Sequence, residues 1–397
     1  MGLELLRRGT KTRMIYLDHA ATSWPKPPDV VLAMREFLDL AGGNPGRSGH
    51  RLSVEAGRRV YLAREALAVL FGVRDPLRVL FTLNCTHALN LALRGSLSPG
   101  DHVVTSGMEH NSAMRPLRSL ERQGVSLTVV PCSAEGLLAP DDVAAALTDR
   151  TRLAVFSHAS NVCGALQPVR EIAQCIRARS SALVLLDAAQ TAGSMPIDLA
   201  ELGVDLLAFS GHKGLLGPPG TGGLILGPRV DPRTMTPLWQ GGTGSRSEYE
   251  EQPEHLPDKF ESGTPNGVGI AGLGAAARWL LKQDLQALRE REMEQVRLLR
   301  QGLSALPGLT VYGPERDDRR IAVLSFTAAG EPVSNIGRRL DEDFGILVRV
   351  GLHCAPAAHR TLGTFPGGTV RLAPGPFTAR AEIEATIQAL ETILTTR

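Results

Sequence analysis

The 397-residue sequence has no apolar run approaching the ~20 residues that a membrane helix requires, which excludes a spanning helix. Its first residues, MGLELLRRGTKTR, lack the apolar stretch and small-residue cleavage site of a secretory signal. No charge of one sign dominates: 43 Lys and Arg face 41 Asp and Glu, so nothing electrostatic points to nucleic acid or an anionic membrane surface. Cysteine is sparse. The five, Cys85, Cys132, Cys163, Cys175 and Cys354, are odd in number, widely spaced and without a CxxC pair. That argues against a disulfide framework or a structural metal and fits a reducing compartment. No internal repeat or low-complexity tract is evident. What is left is a globular, cytoplasmic protein with a small ligand and, at 43% hydrophobic residues, ample material for a core.

From Val79 to about residue 229, short β-rich runs alternate with helix-like stretches: VLFTL, HVVTS, SLTVVP, LAVFSH, ALVLLD, DLLAFS and GGLILG, each bounded by Gly, Pro, Ser or Asp. The alternation predicts an α/β fold, a mostly parallel sheet flanked by helices, whose ligand lies beyond the carboxyl ends of the strands. Residues 231–267, rich in Gly, Pro, Glu and Ser, read as a long functional loop or crossover. Helical spacing follows from Ile270 to Leu306, then strand candidates at GLTVYG, RIAVLSFT, FGILVRV and TVRLAP, a smaller α+β C-terminal domain. The expected division is an N-terminal segment (1–27) packing with the small domain, a large ligand-binding domain (28–267), and the small domain (268–397).

The residues after the strand ends are polar. SGHKG places Lys213 directly after a strand, where an amine can form an imine with a carbonyl ligand. Most lysines are solvated, so Lys213 gains weight only from its neighbours. Asp187, ending ALVLLD, is a carboxylate in an apolar setting that needs a cationic partner. A pyridinium N–H supplies one, and holding that nitrogen protonated is the tuning a pyridoxal 5'-phosphate site asks of its protein. Alone, Asp187 could equally cap a helix. NCTHALNLAL brings a helix start after a strand end, making Thr86 and His87 phosphate candidates, with an ordinary helix cap as the plain alternative. His110, in GMEHNS, reads either as a ring-stacking group or as a surface histidine. GPPGTGG resembles a phosphate-binding loop but has Gly223 and Leu224 where the Lys and Ser or Thr belong, and strand-like residues follow. It reads as a glycine-rich turn behind Lys213. Cys354, in RVGLHCAPAAHR, has Arg349, His353, His359 and Arg360 close in sequence, and cationic neighbours favour a reactive thiolate. Cys85, Cys163 and Cys175 are read as buried structural cysteines. Arg371, in TVRLAP, has the fork geometry to grip an α-carboxylate.

Taken together, YLDHAATSWPKP, EHNS, HASNVCG, DAAQ, SGHKG, FESGTPNG and RVGLHCAP, in this order over nearly the whole chain, resemble the class V aminotransferase-like family, specifically cysteine desulfurases and selenocysteine lyases. The resemblance implies a homodimer of pyridoxal-phosphate fold type I. Lys213 would form the Schiff base, Asp187 would pair with the pyridine nitrogen, and Gln190 would bond the ring hydroxyl. His110 would stack on the ring and join in catalysis. Thr86, His87, Ser210 and His212 would surround the phosphate, and Thr264 would reach the phosphate of the other subunit. Asn161, Arg349 and Arg371 would bind the substrate. The implied reaction converts L-cysteine to L-alanine, leaving a persulfide on Cys354 that passes to a thiol acceptor, a protein or a small molecule, as in iron–sulfur cluster assembly. No metal is implied.

The alternatives are a selenocysteine lyase or another C–S or C–Se lyase on the same fold, then an aminotransferase or a non-catalytic sulfur-assembly subunit. The chain departs from the family pattern at Leu352, where a first histidine is usual before His353-Cys354. It departs also at Gly46-Arg47 in place of His-Arg, at His87 in place of glutamate, and in the tail RLAPGPFT. Relatives tend to begin near MIYLDHAAT, so residues 1–13 read as an extension or a misplaced start, with Met14 the true one.

Overall fold

The computed structural model describes residues 14–46 and 48–395; the first 13 residues and Arg47, on which two of the expectations above fall, lie outside the described residues. The chain enters through a two-residue strand, β1 (Ile15–Tyr16), followed by α1 (Pro28–Leu40) and α2 (Arg51–Leu70). The expected β-rich runs then all form strands: β2 (Val79–Thr82), β3 (His102–Ser106), β4 (Ser126–Val130), β5 (Thr151–Ser157), β6 (Leu183–Asp187), β7 (Leu206–Ser210) and β8 (Gly222–Leu226). Between them lie α3 (Cys85–Ser96), α4 (Asn111–Glu121), α5 (Pro140–Ala145), α6 (Val169–Arg179) and the short α7 (Leu199–Leu202).

These seven strands make one sheet in the order β2-β8-β7-β6-β5-β3-β4. β8 runs antiparallel to both neighbours and the remaining ladders are parallel. Alternate side chains feed opposite faces: Val184, Leu186, Leu207 and Phe209 join one buried cluster, and Leu185, Leu206 and Ala208 another. A sheet buried on both faces reads as near-continuous hydrophobic runs, which is why these strands were visible in the sequence. The chain order reverses at β5, which has β6 on one side and β3 on the other. Crevices form at such reversals, and this one opens where β3, β5, β6 and β7 end.

Residues 231–266 contain only a single 3-10 helix at Pro232–Thr234 and are otherwise turns and irregular chain, with Gly267 already opening a helix. Glu261 anchors the end of this loop. Its carboxylate takes two charge-assisted bonds of 2.8 Å from buried Arg64 on α2 and one from the Phe81 N–H on β2. The helical stretch expected from Ile270 is two helices, α8 (Gly267–Leu281) and α9 (Leu285–Ser304), because Asp284 caps a fresh N-terminus by accepting from Gln286 and Ala287 N–H.

The C-terminal residues add β9 (Leu309–Tyr312), β10 (Leu324–Ala328), α10 (Val333–Phe344), β11 (Ile346–Leu347), β12 (Arg349–Gly351), α11 (Pro356–Thr361), β13 (Thr369–Leu372) and α12 (Arg380–Thr395). Four of the strands form an antiparallel sheet, β12-β13-β10-β9. FGILVRV, read as one strand, is divided. β11 pairs in parallel with β1, while β12 pairs with β13, so the run serves two sheets and breaks between them. No helix among the described residues is long and apolar enough to cross a membrane.

α9 buries Glu292 within this framework. Burial pushes its carboxyl up to about 8, against the pull of Arg289 and Arg291. The native state thus keeps a proton that the unfolded chain, with its carboxyl at the ordinary 4.5, has already lost. Native protein binds more protons across this interval, so stability falls as pH rises from about 4.5 to about 8. Glu292→Gln is expected to remove that slope and to exceed the wild type by on the order of 2 kcal/mol at pH 9. Thermal midpoints measured across pH check this; parallel curves for the two proteins would contradict it.

Candidate active site

The strand ends meet at a cavity of about 250 Å³ lined by residues from five elements, among them Thr86, His110, Asn161, Asp187, Gln190 and Lys213. Each arrives for a local reason. Asp187 is the last residue of β6, Ser210 the last of β7, and His212 and Lys213 follow β7 in a turn. Behind Lys213 the GPPGTGG segment closes on itself: Gly217 N–H donates to Gly211 O at 2.8 Å, and a Cβ on Gly217 would stand 2.8 Å from that oxygen. A strand, β8, follows it rather than a helix, so the phosphate-loop reading fails on structure as it does on sequence.

Burial disfavours the ammonium form of Lys213, and Arg371 and Arg349 push the same way, while Asp187 and Cys85 oppose them. Its amine is accordingly biased toward the neutral, nucleophilic form. Asp187 Oδ1 accepts from Ala189 N–H at 2.9 Å and from the Cys85 thiol at 3.2 Å. Burial, with the Asp187 charge adding to it, raises the Cys85 thiol well above its ordinary value, so Cys85 stays a hydrogen-bond donor. Cys85 therefore is buried, as read, but it also forms part of the cavity wall. That contact joins residues 102 apart in the chain, and no local pattern announces it.

His110 caps α4: Nδ1 accepts from Ser112 N–H at 3.0 Å and lies 2.7 Å from Ser112 Oγ. Burial pushes its ring below the ordinary histidine range, leaving a neutral, flat imidazole at the cavity wall. Beneath it, buried Glu109 takes hydrogen bonds from Ser106 and Ser157, while desolvation raises its carboxyl to about 7. Sequence reading passed over Glu109; a carboxylate between a strand end and a cap histidine was the available signal.

Asn84 caps α3, accepting from His87 N–H at 2.9 Å. The Thr86 hydroxyl is 2.8 Å from Ser112 Oγ, and Ser210 Oγ accepts from Cys85 N–H at 3.3 Å. Thr86, Ser210 and His212 gather with the first turn of α3, a donor-rich end suited to a phosphate. His212 is held by its carbonyl, which accepts from Ser23 N–H at 2.9 Å, and its ring is pushed down to about 4 by burial, then by Lys213 and Lys26. Two phosphate candidates lie elsewhere. The His87 ring faces a separate cleft of about 350 Å³, where Nε2 accepts from Trp239 Nε1–H at 2.9 Å, and Thr264, an exposed residue accepting from Asn44, lines that same cleft.

Cys354 lies beyond β12 in a loop docked onto the cavity. Asn161, a cavity residue, donates to His353 O at 2.7 Å, and Asn111 N–H, next to His110, donates to Cys354 O at 2.9 Å. His353 and Cys354 adopt left-handed φ values of 48° and 59°, a costly conformation for non-glycine residues. The Cys354 thiol is exposed, with Arg349 Nη2 3.4 Å from Sγ. Of the four cationic neighbours named from the sequence, Arg349 alone is recorded at the sulfur. His353 and His359 are buried on Thr369 and Thr364, and Arg360 lies over the Phe365 ring at 4.4 Å. Burial pushes the rings of His353 and His359 down to about 2 and about 4. Arg371 is fully buried, donating from Nη1 to Asn161 O at 3.0 Å and from Nη2 to Asp18 at 2.6 Å.

A lysine, an aspartate at an adjacent strand end and a helix N-terminus around one cavity match a known group of proteins, and the family model for class-V aminotransferases matches residues 15–386. The chain belongs to the aminotransferase class-V family. This class-V chain is 32% identical to the apo cysteine desulfurase of Thermococcus onnurineus NA1, with a TM-score of 0.90 over 97% of this chain and 95% of that one. It is similar also to the Escherichia coli cysteine desulfurase CsdA, a structure in the S-sulfonic acid form, with 29% identity and a TM-score of 0.85 over 96% and 95% of the two chains. A curated relative, the cysteine desulfurase of Enterobacter sp. (strain 638), is 35% identical over 86% of this chain and 84% of its own length. The class-V family depends on pyridoxal 5'-phosphate. The cavity fits that group in size and in donor set: an amine, a carboxylate, a flat imidazole, and hydroxyls beside a helix N-terminus. Among the described residues, no cluster of histidine, cysteine and carboxylates suits a metal ion.

Proposed function

We propose that the chain is a cysteine desulfurase, converting L-cysteine to L-alanine and carrying the sulfur as a persulfide on Cys354. The observation that carries this reading is the exposed Cys354 thiol, in a strained loop tied through Asn161 and Asn111 to the cavity of Lys213. An aminotransferase would leave that thiol without a task.

Lys213, Asp187, Gln190, His110, Thr86, Ser210 and His212 would hold pyridoxal 5'-phosphate, whose ring, when bound, supplies an electron sink for the substrate carbons. The Asp187 carboxylate, its Oδ1 already satisfied, keeps lone pairs to accept from a ring N–H. Lys213, its amine biased toward the neutral form, is the anchor, and once freed its Nζ moves the proton at the substrate Cα. Arg371 and Asn161 orient the substrate carboxylate. The Cys354 thiolate attacks the substrate sulfur: an S–S bond forms, the Cβ–S bond breaks with its electron pair passing to the carbon skeleton, and protonation there completes alanine. Arg349, 3.4 Å from Sγ, balances the thiolate. The persulfide then passes to a thiol acceptor, a protein or small molecule, as iron–sulfur cluster assembly requires.

The same reading makes the protein a cytoplasmic homodimer. Thr264 and His87, turned to a cleft away from Lys213, would meet a partner's site, which is how Thr264 could serve a phosphate it does not approach within one chain. It also divides the chain at residues 27 and 267, supported by separate sheets before and after the second boundary and by the pairing of β1 with β11. The test is the purified protein with L-cysteine and a reducing thiol, followed by visible absorbance, sulfide and alanine. Equal yields of sulfide and alanine are expected. A cofactor band without cysteine-dependent sulfide would overturn the reading, and turnover of selenocysteine alone would replace it with a selenocysteine lyase.

A further inference from the structure

Asp18 lies between β1 and α1 and has no part in the mechanism above. Its backbone is pinned on both sides: Leu17 N–H donates to Leu347 O, Ala373 N–H to Leu17 O, and His19 N–H to Ala373 O. Main-chain bonds therefore place its carboxylate, and Arg371 Nη2 meets it at 2.6 Å. The Asp18 side chain keeps 22% exposure where Arg371 has none. Arg371 Nη1 is committed to Asn161 O, and the buried Nε has no partner. Arg371 and Arg349 stand directly opposite on β13 and β12, so the pair retains one positive charge beyond what Asp18 balances.

We propose that Asp18 is a resident competitor of the substrate carboxylate on Arg371, a residue that sets the affinity of an incoming α-carboxylate by sharing the guanidinium with it. This rests on the proposed role of Arg371. A guanidinium fork binds a carboxylate through paired N–H groups, and here one N–H of Nη1 is committed to Asn161 O and one of Nη2 to Asp18. A second anion must therefore share the guanidinium with Asp18, and two carboxylates on one guanidinium repel. A neutral amide has no charge with which to compete. Asp18 thus holds down the affinity for free α-carboxylates and leaves that for neutral amides or esters unchanged.

The test uses the holoprotein, titrated with L-alanine and with L-alaninamide and followed by visible absorbance. Asp18→Asn, a neutral side chain of the same shape, is expected to bind L-alanine roughly tenfold more tightly than the wild type and L-alaninamide no differently. Unchanged or weaker L-alanine binding, or an equal change for both probes, would show that Asp18 merely positions Arg371. Should the asparagine variant be too unstable to isolate, Asp18→Ser carries the same comparison. The titration needs no turnover, so a protein that binds L-alanine yet releases no sulfide from L-cysteine would sink the desulfurase reading and leave the Asp18 result standing.

Discussion

Cys354→Ala is expected to lower cysteine-dependent sulfide and alanine release by roughly 10³-fold or more, with the cofactor band and the fold unchanged. The thiol lies in an exposed loop, not in the core, so its loss opens no buried void. The Asn161 and Asn111 contacts go to main-chain oxygens and survive the substitution. An effect confined to chemistry is therefore the signature. Selenocysteine turnover, in which selenium leaves without a thiol acceptor, is expected to persist in the same variant. Sulfide release within tenfold of the wild type would remove Cys354 from the mechanism and favour a simple lyase.

Lys213→Ala is expected to lower turnover by roughly 10³- to 10⁴-fold for a different reason. It removes both the anchoring amine and the base at Cα, while Asp187, Ser210 and Thr86 stay in place to hold the cofactor without a covalent link. Borohydride should fix the cofactor to residue 213 in the wild type and leave it dialysable in the variant. Cofactor still attached to the chain in Lys213→Ala would mean that another amine is the anchor. Lys26 is the one to examine, because burial pushes it down to about 8 and it sits on the carbonyl of His212.

The parallel sheet was legible because strands buried on both faces are unbroken apolar runs, and the strand ends were legible because polar residues interrupt those runs at Asp187, Ser210 and Asn161. What joins distant segments was not. Asp18 reaches Arg371 across 353 positions, and Cys85 reaches Asp187 across 102; neither pair leaves a periodic trace. The cationic surroundings of Cys354 were overread for a similar reason. Proximity in sequence brought His353, His359 and Arg360 into the account, but the left-handed turn at His353 and Cys354 sends the thiol outward while both histidines pack inward on threonine hydroxyls. Arg349 reaches the sulfur because it lies on β12, a strand that ends just before that turn. FGILVRV was read as one strand for want of any signal that its halves join different partners.

The mechanism turns on sulfur moving from free cysteine onto Cys354. The most direct measurement is a single turnover of the holoprotein with L-cysteine in the absence of any acceptor thiol, followed by peptide mass analysis and alanine quantitation. One added sulfur atom on the peptide containing Cys354 and one free alanine per active site are expected, the sulfur being discharged as sulfide on adding a reducing thiol. Alanine formed with no sulfur on that peptide, or sulfur found on Cys85 or Cys132 instead, would contradict it.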